Sequence, residues 1–480
     1  MQDNYKKVHN YKVDDIRTVA DLKRLKERHD GDSGFRAGVS SATADRSSLL
    51  ADLGIGLSVS DLEHIWIDSA PSAITPELKA AMVNDPLLKL WSGWNENSNQ
   101  KFHNLAKQWS IFNNQPLTAW RSRWMQRFTS ESTTEGLIIN PLFSFELSKG
   151  CTVGCWFCGL AAEKFDGFFA YMPKNVALWR DILQVSRDFA GTGVKSALCY
   201  HGTEPFDNPG YLNFLRDFQD VIGALPQTTT AIPLQNIEKT REMLYMRESC
   251  LMLPDRFSVL SLNVLKKIHR TFTPFELRYV DLVLHNSGAL AQKTNCGRAQ
   301  QRPEKLKRAN RLAREIDPDG GASDPNSIEC LCGYLVNMVA GTIQLVSPCR
   351  ASARWPNGYR VHVTGSFSNG EEFKAFLEKS VQKHMPENMD WGDKIAFRPG
   401  LAYDRVGEGF TLTSRRIRNA LKGKPWHGEL GDIISQGSGT AGEAITNIAA
   451  GGVALPDVIA AVQKLFNKGL LADITDEVEA

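Results

Sequence analysis

Up to about residue 135, apolar positions recur at helical spacing, as in Asp61-Leu-Glu-His-Ile-Trp-Ile and Leu87-Leu-Lys-Leu-Trp, and are broken by Gly, Ser and Pro clusters. This predicts a helical N-terminal extension over residues 1–135 that packs on or lids a core and carries no catalytic constellation. From 142 to 349 short apolar runs alternate with amphipathic stretches, the pattern of a parallel sheet wrapped by helices. The candidate strands are Leu142–Leu147, Val194–Tyr200, Thr228–Leu234, Phe257–Asn263, Val280–His285 and Thr342–Ser347. They predict an α/β fold, a partial (β/α)6 barrel of the TIM type over 136–355, with its site at the C-terminal strand ends. Residues 356–480 read as a strand, a polar connection, a hairpin from Lys394 to Thr413 turning at Gly400, Gly407 and Gly409, and then helices of helix-turn-helix spacing. A small winged-helix-like module is expected there.

Composition narrows the class. Of 480 residues, 42% are hydrophobic and 23% charged, which suits a packed globular protein and excludes wholesale disorder. The 56 basic and 54 acidic residues nearly cancel, so no global field draws in nucleic acid or an anionic membrane, and neither partner is expected. The polar N-terminus lacks an apolar targeting region and no run is long enough to span a bilayer, which predicts a cytoplasmic location. Nine cysteines, an odd number clustered at 151–158 and 330–349, argue for metal or redox chemistry in a reducing compartment rather than disulfides.

In Lys149-Gly150-Cys151-Thr-Val-Gly-Cys155-Trp-Phe-Cys158-Gly159, three thiols fall on the loop expected after the first strand. Gly150, Gly154 and Gly159 permit a tight path, and intervals of three and two residues let one loop curl around an iron–sulfur cubane, leaving one iron without a protein ligand. A zinc knuckle is the competing reading. It requires a fourth Cys or His nearby, and the nearest downstream His is His201. After the second candidate strand comes His201-Gly202-Thr203-Glu204-Pro205, a strand-end carboxylate with backbone carbonyls suited to an ammonium group. Gln235, Ser261, Asn263, His285 and Asn286 are further polar residues near predicted strand ends, where capping or turn roles compete evenly with ligand binding.

The cysteine loop resembles that of the radical S-adenosylmethionine superfamily. The resemblance implies a [4Fe-4S] cluster on Cys151, Cys155 and Cys158, with S-adenosyl-L-methionine at the open iron and Phe157 near the adenine. The 201–205 segment is similar to the family's Gly-Gly-Glu-Pro motif that receives the methionine amino group, with Thr203 replacing the usual second glycine; Gly202, Thr203 and Glu204 are the implied contacts. Gln235, Ser261 and Asn263 complete the expected cofactor-binding set. A low-potential electron donor is implied as a partner.

Phe145-Glu-Leu-Ser-Lys-Gly-Cys151 through Cys158, Cys330-Leu-Cys332-Gly-Tyr and Ser347-Pro-Cys349-Arg350 resemble the radical epimerases that act on proteusin-type ribosomal peptides. This similarity, over about 75–365, implies conversion of selected L-residues of a precursor peptide, leader plus core, to D-residues. Cys349 follows the sixth candidate strand and is the expected hydrogen donor, because the weak S–H bond can quench a carbon radical from the face opposite the abstraction. An alternative is a peptide cross-linking enzyme, thioether or carbon–carbon, in which Cys330, Cys332 and Cys349 hold an auxiliary cluster. Cys199, Cys250 and Cys296 read as small hydrophobes. The basic stretch Arg302–Arg314 is a solvated helix face or a site for an acidic leader, and the C-terminal module resembles leader-recognition modules that bind by strand addition. A DNA-binding wing is disfavoured by the absence of a concentrated basic helix.

Overall fold

The computed structural model describes residues 11–41, 45–62, 82–110, 112–131, 140–250, 253–290, 296–301, 327 and 329–473. The basic stretch from 302 and the segment 63–67 of the first helical pattern lie outside the described residues.

The chain enters through helices α1 (Val13–Gly31), α2 (Ser33–Ser40), α3 (Arg46–Ala51), α4 (Pro86–Trp109) and α5 (Gln115–Glu131). Their starts are written locally. Asp32 accepts from the N–H groups of Gly34 and Phe35, and Asp85 caps α4 with Pro86 in the first turn, so orphan donors at both helix starts are satisfied. Leu117, Trp120 and Trp124 of α5 are buried in the same core as the central strands.

Strand β1 (Phe143–Glu146) alternates strictly. Phe143 and Phe145 stack on one side and pack on Tyr334 and Trp179, which leaves Ser144 and Glu146 on the other face. Next come α6 (Pro173–Ala190), α7 (Tyr211–Ile222), β2 (Thr229–Thr230), α8 (Ile237–Ser249), β3 (Asp255–Val259), α9 (Leu262–Thr271), β4 (Val280–Leu284) and the short α10 (Gly297–Gln301). β2, β3 and β4 pair in parallel, and parallel bridges Ser144↔Leu198 and Leu198↔Gln227 carry the same direction across to β1. On its other side β1 pairs in parallel with β5 (Gly333–Asn337), which continues through antiparallel pairings into β6 (Thr342–Pro348) and β7 (Tyr359–Ser366), followed by α11 (Gly370–His384).

The protein is thus mixed α/β, built on small sheets, with no closed barrel among the described residues. Several expectations change. Val194–Tyr200 is a 3-10 turn, Gly191–Ser196, followed by single bridges at Leu198; at Gly193 a Cβ would lie 2.2 Å from Phe112, so the backbone is pressed against that ring. Thr228–Leu234 contracts to Thr229–Thr230, and Phe257–Asn263 shifts to Asp255–Val259 because Ser261 starts α9. Thr342–Ser347, expected as a sixth parallel strand, is the antiparallel β6. The parallel neighbour of β1 on that side is β5, whose Tyr-Leu-Val run lies outside the six expected strands.

The C-terminal module contains β8 (Ala402–Val406), β9 (Gly409–Thr413) and β10 (Arg418–Leu421), an antiparallel sheet of order β10-β9-β8. It is followed by α12 (His427–Gln436), α13 (Ala441–Ala450) and α14 (Leu455–Asn467). These share a core separate from the central one, including Ile395, Phe410, Leu430, Ile445, Val458 and Leu471. No helix among the described residues is long and apolar enough to cross a membrane.

Candidate functional site

The cysteine loop leaves the C-terminal end of β1 and returns on itself. Phe169 donates to Leu147 O at 2.9 Å, Lys149 to Gly167 O at 2.9 Å and Cys151 to Glu163 O at 2.9 Å, a short pairing that closes the base of the loop. Gly150, at φ +72°, is needed here because a Cβ would lie 2.1 Å from Lys164 O. Within the loop, Ala162 N–H approaches Cys158 Sγ at 3.4 Å, and Thr152 donates through both N and Oγ1 to Asp207. All three thiols are half-buried and free. Burial raises the pKa of Cys155 to about 12, with Cys151 and Cys158 adding to the rise. Burial likewise raises that of Cys151, helped by Glu204 and Asp207.

Glu204 lies beyond the Leu198 bridges and is 3% exposed. Its carboxylate accepts from Thr230 Oγ1 at 2.6 Å, Ala231 N at 2.9 Å and Phe206 N at 3.2 Å. Burial nonetheless outweighs these donors and raises its pKa to about 7. Gly202 N–H donates to Glu146 Oε1 at 2.8 Å, and Asn337 Nδ2 holds the other oxygen at 2.9 Å. His201 hydrogen-bonds Glu329 through Nε2 and has Nδ1 4.0 Å from Glu146 Oε1. Burial works against its protonation, but the two carboxylates prevail and its pKa is raised. Glu146 and Glu329 are not among the expected site residues, although a carboxylate inside Phe-Ser-Phe-Glu is a legible signal.

The remaining predicted residues separate. Phe157 stacks on His285, just past β4, with ring centroids 3.6 Å apart, so the loop after β1 meets the residue after the far strand. Thr203 is half-buried between Gly202 and Glu204. Ser261 accepts from Val264 N–H as the cap of α9, Asn263 is exposed in the first turn of that helix, and Gln235 is exposed in the turn before α8. None of these three ends a strand. Asn286 is buried and donates to Gly31 O at 2.7 Å.

Contrary to the expectation from sequence, Cys349 does not follow a parallel strand. Because β6 runs against β1 and β5, following β6 does not by itself place the thiol at the mouth of the parallel strands. The connection after Cys349 turns back instead. Cys349 N–H donates to Gly358 O at 3.0 Å, Pro356 O accepts from Gly297 N at 2.8 Å, and Arg298 N–H donates to Cys158 O at 2.9 Å. Backbone hydrogen bonds therefore join this connection to the cysteine loop. Cys349 is 4% exposed, Cys332 is buried in the main core, and Cys330 is half-buried with a pKa raised to about 12 by burial and by Glu329. Cys199 and Cys296 are buried, Cys250 half-buried.

The chain is 34% identical over 464 residues to the uncharacterized protein y4wI of Sinorhizobium fredii, covering 96% of this chain and 88% of that protein. It belongs to the y4wI family. No family model matches the chain. No solved structure matches it. For this member of the y4wI family, the fit of a metal group rests on the donor set itself. Among the described residues no three His, Cys, Asp or Glu side chains stand close enough to share one ion. A zinc knuckle needs four ligands on one ion, whereas the thiolates of a cubane each bind a different iron. Three half-buried thiols on one glycine-shaped loop fit the latter in number and chemistry.

Proposed function

We propose that this protein is a radical S-adenosylmethionine peptide epimerase that converts selected L-residues of a ribosomally synthesised precursor to D-residues. The observation that carries this reading is the loop of Cys151, Cys155 and Cys158 at the end of β1, tied through Thr152 to Asp207 in the segment that follows Glu204. The assigned architecture is a partial barrel of the TIM type, supported by the parallel succession from β4 through the Leu198 segment to β1. When bound, the reduced cubane and S-adenosylmethionine supply a 5′-deoxyadenosyl radical that removes a hydrogen atom from a substrate α-carbon.

The chain's own residues do the rest. The three thiolates hold the cluster, Glu204 with the carbonyls beside it holds the methionine ammonium, and Gly202 keeps Glu146 oriented. The Cys349 thiol returns a hydrogen atom to the opposite face of the substrate carbon. The thiyl left behind takes one electron, from the low-potential donor, and one proton. The C-terminal module receives the leader, a role supported by its three-stranded sheet, whose edges β8 and β10 offer backbone groups for strand addition. A cytoplasmic location suits an oxygen-sensitive cluster.

Anaerobic coexpression with a precursor peptide in deuterated water, followed by mass spectrometry and chiral amino-acid analysis, tests the reading. A gain of about one dalton at each new D-residue is expected, since a thiol hydrogen exchanges with solvent. Cys349→Ala is expected to keep cleaving S-adenosylmethionine while forming no D-residue. Normal epimerisation by that variant overturns the donor role, and a loss of about two daltons without D-residues transfers the assignment to a cross-linking enzyme with an auxiliary cluster.

A further inference from the structure

The segment Cys296-Gly297-Arg298 packs closely on the cysteine loop. Gly297 adopts φ +54°, and a Cβ there would lie 2.1 Å from Gly159 O and 2.9 Å from Cys158 O, so the backbones meet where only glycine fits. Arg298 then takes three carbonyls of the loop. Its backbone N–H donates to Cys158 O at 2.9 Å, its Nη1 to Cys155 O at 2.8 Å and its Nη2 to Ala162 O, the two side-chain bonds spanning 143 and 136 residues of sequence. Between the last two carbonyls stands Ala161, at φ +48°, the one non-glycine residue with positive φ among those described. An L-residue resists that conformation, so the loop carries strain beside the carbonyl that the guanidinium holds. On its other side Gly297 N–H donates to Pro356 O, in the connection that begins at Cys349.

We propose that Arg298 is a positioning residue that presets the cysteine loop and, through Gly297, holds it at a fixed separation from the Cys349 connection. The functional half of this proposal rests on the epimerase reading; the preorganisation half does not. A planar guanidinium reaches two carbonyls at once, which an ammonium cannot do in the same geometry. Fixing both loops before the cofactor arrives removes ordering cost from cluster uptake and keeps the hydrogen donor aligned with the site of abstraction.

The test begins with the metal-free full-length chain. Amide hydrogen exchange read by mass spectrometry over 155–162 is expected to quicken by about tenfold or more in Arg298→Ala, as the loss of charge-assisted hydrogen bonds implies, with β3 and β4 unchanged. Arg298→Lys is expected to recover only part of the protection. Unchanged exchange over 155–162, or an equal rise in β3 and β4, overturns the proposal. In the reconstituted enzyme, Arg298→Ala is expected to form more 5′-deoxyadenosine per D-residue than the wild type, whereas a merely structural role lowers both products together. Should the wild type take up no iron, the epimerase reading fails, while the exchange experiment still decides whether Arg298 braces the loop.

Discussion

The C-terminal module and the cysteine loop are held in opposite ways, one by signals a few residues apart and the other by partners that include an arginine more than a hundred residues away. In the module, Gly407 turns β8 into β9 at φ +57°, Thr440 and Glu443 form a reciprocal cap on α13, and Gly437 ends α12 in the left-handed region. Its core is mainly apolar, with Leu430 and Ile434 fully buried. The cysteine loop has almost no apolar core of its own. It is pinned by Asp207 at Thr152, by Arg298 at three carbonyls and by the 163–169 return segment. A region stabilised by burial tolerates local change at its surface, whereas one held by a few polar ties is sensitive at each tie and is free to adapt between them.

Breaking the module should have the largest effect. Leu430→Ala removes a fully buried side chain and is expected to lower the module's unfolding free energy by about 2–5 kcal/mol in urea, leaving iron uptake intact. Joint loss of iron uptake contradicts the separation of the two regions. Next is the carboxylate at the edge of the loop. Because burial raises the pKa of Glu204 from 4.5 to about 7, its contribution is fully present below about pH 4.5 and is lost as pH rises through about 7. Glu204→Gln is therefore expected to remove up to about 3 kcal/mol of pH dependence between pH 5 and 8 from the metal-free protein, read by denaturant melts across that range. A pH profile identical to wild type refutes the assignment. The smallest effect sharpens the contrast. Ala161→Gly relieves left-handed strain worth about 1–2 kcal/mol against a glycine entropy cost of about 0.5–1 kcal/mol, so a net gain of about 0.5–1 kcal/mol is expected in the same melts.

The same contrast explains what the sequence disclosed. The turn at Gly407 and the helical spacing of 441–449 and 458–466 are local patterns, and α13 and α14 stand where those patterns predict. β4 also follows its apolar run. The Leu198 segment falls short of a full strand because an apolar run does not record that Gly193 is pressed against Phe112. The direction of β6 departs from expectation because periodicity says which residues are buried and nothing about which way a strand runs. At the site, the thiols and Glu204 are legible from spacing and residue type. Ser261 is not separable from a ligand until its hydroxyl is seen to cap α9. Arg298 leaves no sequence signal at all, since an arginine that binds carbonyls across 136 residues looks like any other arginine.

The most direct measurement of the central claim is iron and sulfide counting after anaerobic reconstitution, on the wild type and on the variant with Cys151, Cys155 and Cys158 all replaced by Ala. About four irons and four sulfides per wild-type chain, and none in the variant, is the expected result for one cubane on this loop. Retention of iron by the triple variant, or zinc without sulfide in the wild type, contradicts it.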